Sequence, residues 1–427
     1  MKNLKQQDPE IYNLIKQEIS RQKDGLVMIP SENYASEAVI EAMGTPLSNK
    51  YAEGYPYKRY YTGNQYIDQI ETLAIERAKK LFNAEHANVQ PNAGSPANFE
   101  AYYATLQPGD KILALDLAHG GHLTHGGKAN FSSKLYNFVY YGVDEKTEIV
   151  DMEKVREIAL REKPKMIVTG ATAYPRKIDF EKFYEISKEI DGYLLADISH
   201  IVGLCLAGLH QNPAPYADIV TTTTHKTLRG PRSAIIVCKE NDRYQEKYHP
   251  NIKKNLAQRI DFAVFPGMQG GPMEHIIAAK AACFKEAMTE EFKEYQKQIV
   301  KNAKVLAEIL MENGLRLVSG GTDNHLMLID CRNIGITGKI GSEALAMADI
   351  YTNRNTIPFE TGSPFDPSGI RLGAPALTTR GMKEGEMRII GKWISDILHN
   401  VNNEELIGKV KNEVKEMTMK FPIYEDL

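Results

Sequence analysis

The sequence predicts an α/β protein, a sheet with helices on both faces, with enough chain left over for a second domain. Three observations lead there. Short apolar runs at 111–116, 166–170, 193–197, 217–223 and 233–238 alternate with helical periodicity, as in 178–190. Two of the runs end in chemistry: 193–197 closes on Asp197, and 217–223 is followed by Lys226. Ligands bind at such strand ends in open α/β sheets. Finally, 427 residues exceed what one core usually holds, since single cores stop growing near ~250–300 residues.

Taken in order, residues 9–23 carry Ile11, Leu14, Ile15 and Ile19 on one helical stripe, an amphipathic arm suited to packing, a second subunit's surface included. The apolar run 26–30 then meets Ser31, which fits a turn or a cap as well as a site. Residues 49–63 hold five tyrosines with Gly and Pro punctuation, poor helix material that suits either a pocket-lining loop or a subunit contact. A helix follows over 64–81, with Ile67, Ile70, Leu73, Ala74, Ala78 and Leu81 on one face. Next, Ser95 reads as the N-cap of another helix and Pro96 as its first residue. Free amides there, with the Ser95 hydroxyl, would cradle a phosphate if the other parts of a cofactor site exist.

The loop 117–126 presents His119, His122 and His125 among glycines, without a carboxylate of its own. The glycines suit close approach of a flat ligand, and no metal is expected. Residues 265–272 are a second glycine cluster. From Pro272 one long helix is expected to reach about Asn313 and bridge to a second domain containing 324–330, 369–375 and terminal helices. The last helix sets Leu406, Val410, Val414 and Met417 on one face. The domain division expected is an N-terminal arm over 1–30, a large domain over 31–285 and a small one over 286–427.

Chemistry gathers around 218–232, where a β-branched run leads to Lys226, flanked by hydroxyls, His225 and two arginines. A lysine just past a buried strand loses hydration, becomes a neutral amine more easily and can attack a carbonyl. The aldehyde that most often needs this is pyridoxal phosphate, which also requires a carboxylate at its ring nitrogen, an aromatic plane and phosphate donors. Asp197 supplies the carboxylate. Arg371, between Ile370 and Leu372, is suited to gripping a substrate carboxylate with two parallel hydrogen bonds.

A net charge of −3 with interspersed signs gives no polyanion-binding signature, so no nucleic-acid partner is expected. No run reaches the ~18 apolar residues of a membrane span, and the opening residues lack the apolar core of a signal peptide. Four cysteines stand singly, as thiols in a reducing compartment. A cytoplasmic location is the expectation.

Ser31-Glu-Asn-Tyr, Lys50-Tyr-Ala-Glu-Gly-Tyr-Pro, Lys58-Arg-Tyr-Tyr, Gly121-His-Leu-Thr-His-Gly, residues 221–232, Gly320-Gly-Thr-Asp-Asn-His-Leu and Gly369-Ile-Arg resemble, in order and over almost the whole chain, the serine hydroxymethyltransferase family. The resemblance implies an aspartate-aminotransferase-like fold (fold type I), with a large mixed-sheet cofactor domain and a smaller C-terminal α/β domain. It implies a homodimer with shared active sites, pyridoxal 5'-phosphate as cofactor, and reversible transfer of the serine hydroxymethyl carbon to tetrahydrofolate, yielding glycine.

By matching motif, Lys226 would form the Schiff base, Asp197 pair with the ring nitrogen and His122 lie over the ring. His200 and Thr172 would serve the ring-hydroxyl side, and Gly94, Ser95 and His225 the phosphate region. A partner chain would add Tyr51 and the Gly270 and Gly271 amides. Ser31 and Arg371 would hold the substrate carboxylate, Thr223 adjoin the Schiff base, and Tyr61 and Glu53 border the reacting group. Leu117, Gly121, Leu123, Tyr60 and Asn355 match the pterin pocket. Departures from the family pattern are Thr172 for serine, Pro96 for glutamine, Ser199 for alanine, Tyr57 for glycine and Gln65 for glutamate. Tyr57 and Gln65 leave open a relative acting on alpha-methylserine, or a folate-independent aldolase of beta-hydroxy amino acids.

Overall fold

The apolar runs assemble into one seven-stranded sheet in a computed structural model that describes residues 1–425. Its strands are β1 (His86–Asn88), β2 (Lys111–Leu115), β3 (Asn137–Tyr141), β4 (Met166–Thr169), β5 (Tyr193–Asp197), β6 (Ile219–Thr223) and β7 (Ala234–Cys238), in the spatial order β1-β7-β6-β5-β4-β2-β3. The five from β3 to β6 in that order pair in parallel, while β7 runs antiparallel to both β6 and β1, so the sheet is mixed. Every residue of β4, β5, β6 and β7 is buried, which is why these strands read as continuous apolar or β-branched runs instead of alternating ones. Asp197 is in register with Thr221, setting the carboxyl ends of β5 and β6 side by side. Gly170, just after β4, has a φ of +125°, and a Cβ there would fall 2.0 Å from the Asp197 carbonyl oxygen, so only glycine lets these strand ends close.

The chain forms two units, Asn33–Lys297, which holds this sheet, and Met1–Glu32 together with the chain from Gln298 onward. The second unit has a four-stranded antiparallel sheet of β8 (Arg316–Leu317), β9 (Leu326–Asp330), β10 (Asn353–Asn355) and β11 (Gly369–Gly373), ordered β8-β9-β11-β10. Leu26–Val27 pairs in parallel with Ile350–Tyr351. The helix Pro9–Asp24 forms, but none of its residues is buried and Ile11 and Leu14 of its stripe are exposed, whereas in the terminal helix Glu404–Lys420 Val410, Val414 and Met417 are buried.

Two expectations need correction. The helix α1 (Gly94–Thr105) starts at Gly94 with Ala93 at the N-cap, so Ser95 lies exposed within the first turn and does not cap it. The long helix from Pro272 is two, α2 (Glu274–Ala287) and α3 (Glu290–Glu312). The break is sealed by Thr289, whose Oγ1 accepts the Phe292 N–H at 3.2 Å and so offers a fresh start to the second helix.

Charges are buried between α1, α2 and the sheet. Lys280 on α2 donates to the carbonyls of Val89 (2.6 Å), Pro91 (3.2 Å) and Ala234 (2.8 Å). Burial pushes its ammonium down to about 7, and pushes the Glu100 carboxyl up to about 8. Neither Glu100 oxygen has a hydrogen-bond partner among the described residues. Native Glu100 therefore keeps its proton from the ordinary carboxyl value up to about pH 8, while the unfolded chain has released it. The folded state binds more protons across that window, so this residue's contribution to stability falls as pH rises through it. Glu100→Gln should gain on wild type from pH 4.5 to 8 by at most about 1.4 kcal/mol per pH unit, as read from urea unfolding at a series of pH values. Parallel pH curves for the two proteins would refute the buried-acid assignment.

Candidate functional site

The carboxyl ends of four adjacent parallel strands deliver the candidate groups. After β2 comes the turn Leu117–His119, whose N-cap Asp116 accepts the Ala118 N–H at 2.8 Å. After β4 comes Thr172, whose N–H donates to the Gly120 carbonyl at 2.8 Å and ties this loop to the histidine loop. After β5 come Ser199 and His200, and after β6 the lysine loop.

Asp197 is buried and accepts four hydrogen bonds. Its Oδ1 takes the Ser199 N–H at 3.0 Å and the Ser199 hydroxyl at 2.6 Å, and its Oδ2 takes Asn98 Nδ2 at 2.9 Å and His125 Nε2 at 3.2 Å. Burial alone would raise this carboxyl, but the hydrogen bond from His125, with the neighbouring His122 and the hydrogen bond from Asn98, holds it well below the usual range. The His125 tautomer follows from its other nitrogen: Nδ1 accepts the His122 N–H at 3.4 Å, so Nε2 carries the proton it donates to Asp197.

His122 is held by Thr124, whose Oγ1 lies 2.7 Å from Nδ1 while accepting Asn98 Nδ2 at 2.8 Å. The carboxylate missing from the histidine loop thus arrives from β5. The ligand atoms of His122, His125 and Asp197 fall within 4.8 Å of one another. N–H and O–H donors already occupy Asp197, which leaves little of it free to ligate a bare ion. His119 is elsewhere employed, its Nδ1 accepting the Val143 N–H at 3.0 Å.

Lys226 is buried three residues beyond β6. Its carbonyl accepts Asn33 Nδ2 and the Arg229 N–H, both at 3.0 Å. Next to it, Thr227 Oγ1 donates to the His200 carbonyl at 3.1 Å and accepts the Gly203 N–H at 3.0 Å, locking the lysine loop to the segment after β5. Burial, then the charges of Lys226 and Arg232, push His225 down to about 3, and its Nδ1 has no hydrogen-bond partner among the described residues. Thr223 stands against Gly94, where a Cβ would lie 2.8 Å from the threonine methyl, so the first amides of α1 come directly beside the end of β6. The turn before α1 is gripped by Gln269, whose Oε1 accepts the Asn92 N–H at 2.8 Å and whose Nε2 donates to the Gln90 carbonyl at 2.9 Å.

A second set gathers at the tyrosine segment, which is a small hairpin, Gly54–Tyr55 against Lys58–Arg59, where the sequence suggested only loop. Tyr51 donates to Glu53 Oε1 at 3.3 Å and meets Tyr61 edge-on with ring centroids 5.1 Å apart. Glu53 Oε1 and the Tyr51 ring face Gly270 and Gly271, at 3.2 and 3.3 Å from Cβ positions built on those glycines. Arg59 fixes the hairpin: Nη1 donates to the Ala52 and Gly54 carbonyls on either side of Glu53, at 2.9 and 3.0 Å, while Nε and Nη2 reach Asp68 and Glu71 at 2.9 and 2.5 Å. Tyr60 packs near Phe265, with centroids 5.8 Å apart, and Tyr60, Leu117 and Leu123 are exposed, whereas Gly121 is buried.

Ser31, Asn355 and Arg371 belong to the other unit. Arg371, central in β11, is buried, which pushes its guanidinium down to about 10, and its Nε donates to Asn353 Oδ1 at 3.1 Å. The segment leading to Ser31 runs beside this strand, the Gly373 N–H donating to the Met28 carbonyl at 2.8 Å.

Sequence reasoning missed Asn98, His125, Gln269 and Arg59 as positioning groups. His125 stood in the histidine loop and Ser199 was visible only as a departure; the others carried no local signal.

An α/β protein with a buried carboxylate and a buried lysine just beyond the ends of neighbouring parallel strands is of the class built to hold a flat, positively charged ring. The family model described as Serine hydroxymethyltransferase matches residues 4–394, and the chain belongs to that family. Its fold is accordingly fold type I, and its members are pyridoxal-phosphate-dependent transferases that move a hydroxymethyl carbon between serine and glycine with folate.

The Tyr57 departure has a visible cost. At the tip of the hairpin Tyr57 has a φ of +63°, the left-handed region that favours glycine, and it is 72% exposed, so it recovers little by packing. Tyr57→Gly should relieve that strain, worth roughly 1–2 kcal/mol, against a smaller loss through a more flexible unfolded chain. The net expectation is a gain of up to about 1 kcal/mol in denaturant unfolding. A destabilised variant would mean that the ring makes contacts outweighing the backbone.

Proposed function

We propose that this chain catalyses reversible transfer of the hydroxymethyl carbon of L-serine to tetrahydrofolate, giving glycine and 5,10-methylenetetrahydrofolate, as a homodimer in the cytoplasm. The observation that carries the proposal is Asp197 at the end of β5 and Lys226 three residues past the adjacent parallel β6, in a member of this family. Four free, buried cysteines suit a reducing compartment, and among the described residues no helix is long and apolar enough to cross a membrane.

The residues present fit the cofactor: an ionised carboxylate, a neutral histidine with an unused nitrogen, and open helix amides beside the lysine loop. When bound, pyridoxal phosphate supplies an electron sink for cleavage at the amino acid's alpha carbon. Lys226 is assigned to its aldehyde and Asp197 to its ring nitrogen, whose proton an ionised carboxylate retains. His122 covers the ring, with His200 and Thr172 on the side of its hydroxyl. Gly94, Ser95 and His225 serve the phosphate, joined by Tyr51 and the Gly270 and Gly271 amides of a second copy. Arg371 and Ser31 orient the amino acid through its carboxylate. Thr223 adjoins the lysine, and Tyr61 and Glu53 of the second copy border the hydroxymethyl group, where a carboxyl group can pass a proton as the carbon changes partner. Leu117, Gly121, Leu123, Tyr60 and Asn355 flank the pterin. That Tyr51, Glu53 and Tyr61 gather on one partly exposed face with Gly270 and Gly271 supports their delivery as a unit.

Borohydride treatment of the purified yellow protein should fix the cofactor on the tryptic peptide containing Lys226. An adduct on another lysine, or none, would overturn the assignment.

A paired assay separates the reading from alpha-methylserine transfer and from folate-independent aldol cleavage. Wild type should cleave L-serine orders of magnitude faster with tetrahydrofolate. Glu53→Gln should nearly abolish that reaction while retaining some folate-independent cleavage of allo-threonine, which needs no carbon acceptor. Serine turnover indifferent to folate would favour an aldolase, and a clear preference for alpha-methyl-L-serine would move the substrate to that relative.

A further inference from the structure

Ser199 lies two residues past Asp197, and its hydroxyl is bonded on two sides. Its Oγ accepts the Thr223 N–H at 3.1 Å and lies 2.6 Å from Asp197 Oδ1. An ionised carboxylate is acceptor-only, so the hydroxyl proton points at Asp197 and the Thr223 N–H occupies a lone pair on Oγ. The direction of this hydrogen bond is therefore fixed from both sides. The group is buried, as is Asp197, which keeps water from competing.

The donors on Asp197 can be counted. A carboxylate offers about four acceptor sites on its two oxygens. Here Ser199 N–H, Ser199 Oγ–H, Asn98 Nδ2 and His125 Nε2 already supply four hydrogen bonds. A ring N–H arriving from the cofactor is a fifth donor and has to share an oxygen. With alanine at this position the count before binding is three, and one acceptor site stays open for the ring.

We propose that the Ser199 hydroxyl competes with the cofactor's ring nitrogen for Asp197, so that the ring proton is held less tightly than it would be without that hydroxyl. Ser199 is in this sense a positioning residue, acting on the ring only through Asp197. Because its Oγ is also bonded to the Thr223 backbone, it couples the carboxylate under the ring nitrogen to the strand end that leads to Lys226. The proposal rests on the assignment of Asp197 to the ring nitrogen.

The test is solid-state 15N spectroscopy of holoprotein loaded with ring-15N pyridoxal phosphate, with cofactor affinity measured in parallel on the apoprotein. Ser199→Ala and Ser199→Gly both delete the hydroxyl without adding bulk, so at least one folded variant is expected. In both, the ring signal should move toward the fully protonated limit and the cofactor should bind no more weakly than in wild type. Ser199→Thr, which keeps the hydroxyl, should leave the signal where it stands. An unchanged signal in a hydroxyl-free holoprotein would overturn the proposal and leave Ser199 as a link between two strand ends. Loss of cofactor binding in both hydroxyl-free variants would overturn it as well, because the hydroxyl would then be required and not competing. The Asp197 assignment fails separately if the wild-type signal does not change on Asp197→Asn substitution.

Discussion

A carboxylate taken out of water must be met by donors or it will not stay ionised, and Asp197 imposes that condition on everything around it. Four hydrogen bonds satisfy it, and they come from three places in the chain: Asn98 on the helix after β1, His125 in the loop after β2, and Ser199 just after β5 itself. Each donor is held in turn by another group. Asn98 is oriented by Thr221, whose hydroxyl donates to its Oδ1 at 2.6 Å, His125 by a backbone N–H, and Ser199 by the Thr223 N–H. Satisfying one buried anion therefore fixes the first turns of α1, the histidine loop and the ends of β5 and β6 together. A partly satisfied network of this kind would cost more than an apolar one, so its members form as a set.

How much of this was legible follows from where the information sits. A strand covered on both faces writes itself into the sequence as an uninterrupted apolar or β-branched run, and the polar residue that ends it stands out. Thus Asp197 and Lys226 were readable together with the sheet that carries them. The partners of Asp197 were not, because a hydrogen bond between residues 99 or 72 positions apart leaves no local pattern. The histidine loop shows the difference: three histidines without a carboxylate of their own suggested no metal, and the acid that His125 meets comes from another strand. The break after Ala287 was equally hidden, since Thr289 caps the next helix without any glycine or proline to punctuate it. Ser95 misled for the opposite reason, as a good capping residue placed where the close contact of Gly94 with Thr223 starts the helix two residues early.

The two groups of candidate residues in the larger unit differ in kind. Those around Asp197 and Lys226 are buried and cross-linked by short hydrogen bonds. Those around Tyr51 and Glu53 lie on a hairpin whose aromatic rings are partly exposed, but whose backbone is rigid because Arg59 grips the carbonyls on both sides of Glu53. Arg59 is itself affordable inside the protein only because Asp68 and Glu71 neutralise it. The hairpin thus carries exposed tyrosine rings and Glu53 on a backbone held by Arg59.

His225 brings the electrostatics of the lysine loop to a definite form. It lies between Lys226 and Arg232, and its ring is largely removed from solvent, so both burial and the neighbouring cations favour the neutral imidazole. An imidazolium would add a third positive charge beside Lys226 and Arg232. A neutral ring instead offers one donor and one acceptor nitrogen, and Nε2 already lies 3.4 Å from Arg232 Nη1, which can only donate. The proton therefore resides on Nδ1, the buried nitrogen that lacks a hydrogen-bond partner among the described residues. A buried N–H donor left without a hydrogen bond costs about 1–3 kcal/mol. An incoming acceptor would recover that cost, so the same burial that neutralises His225 makes it a ready donor to a bound group.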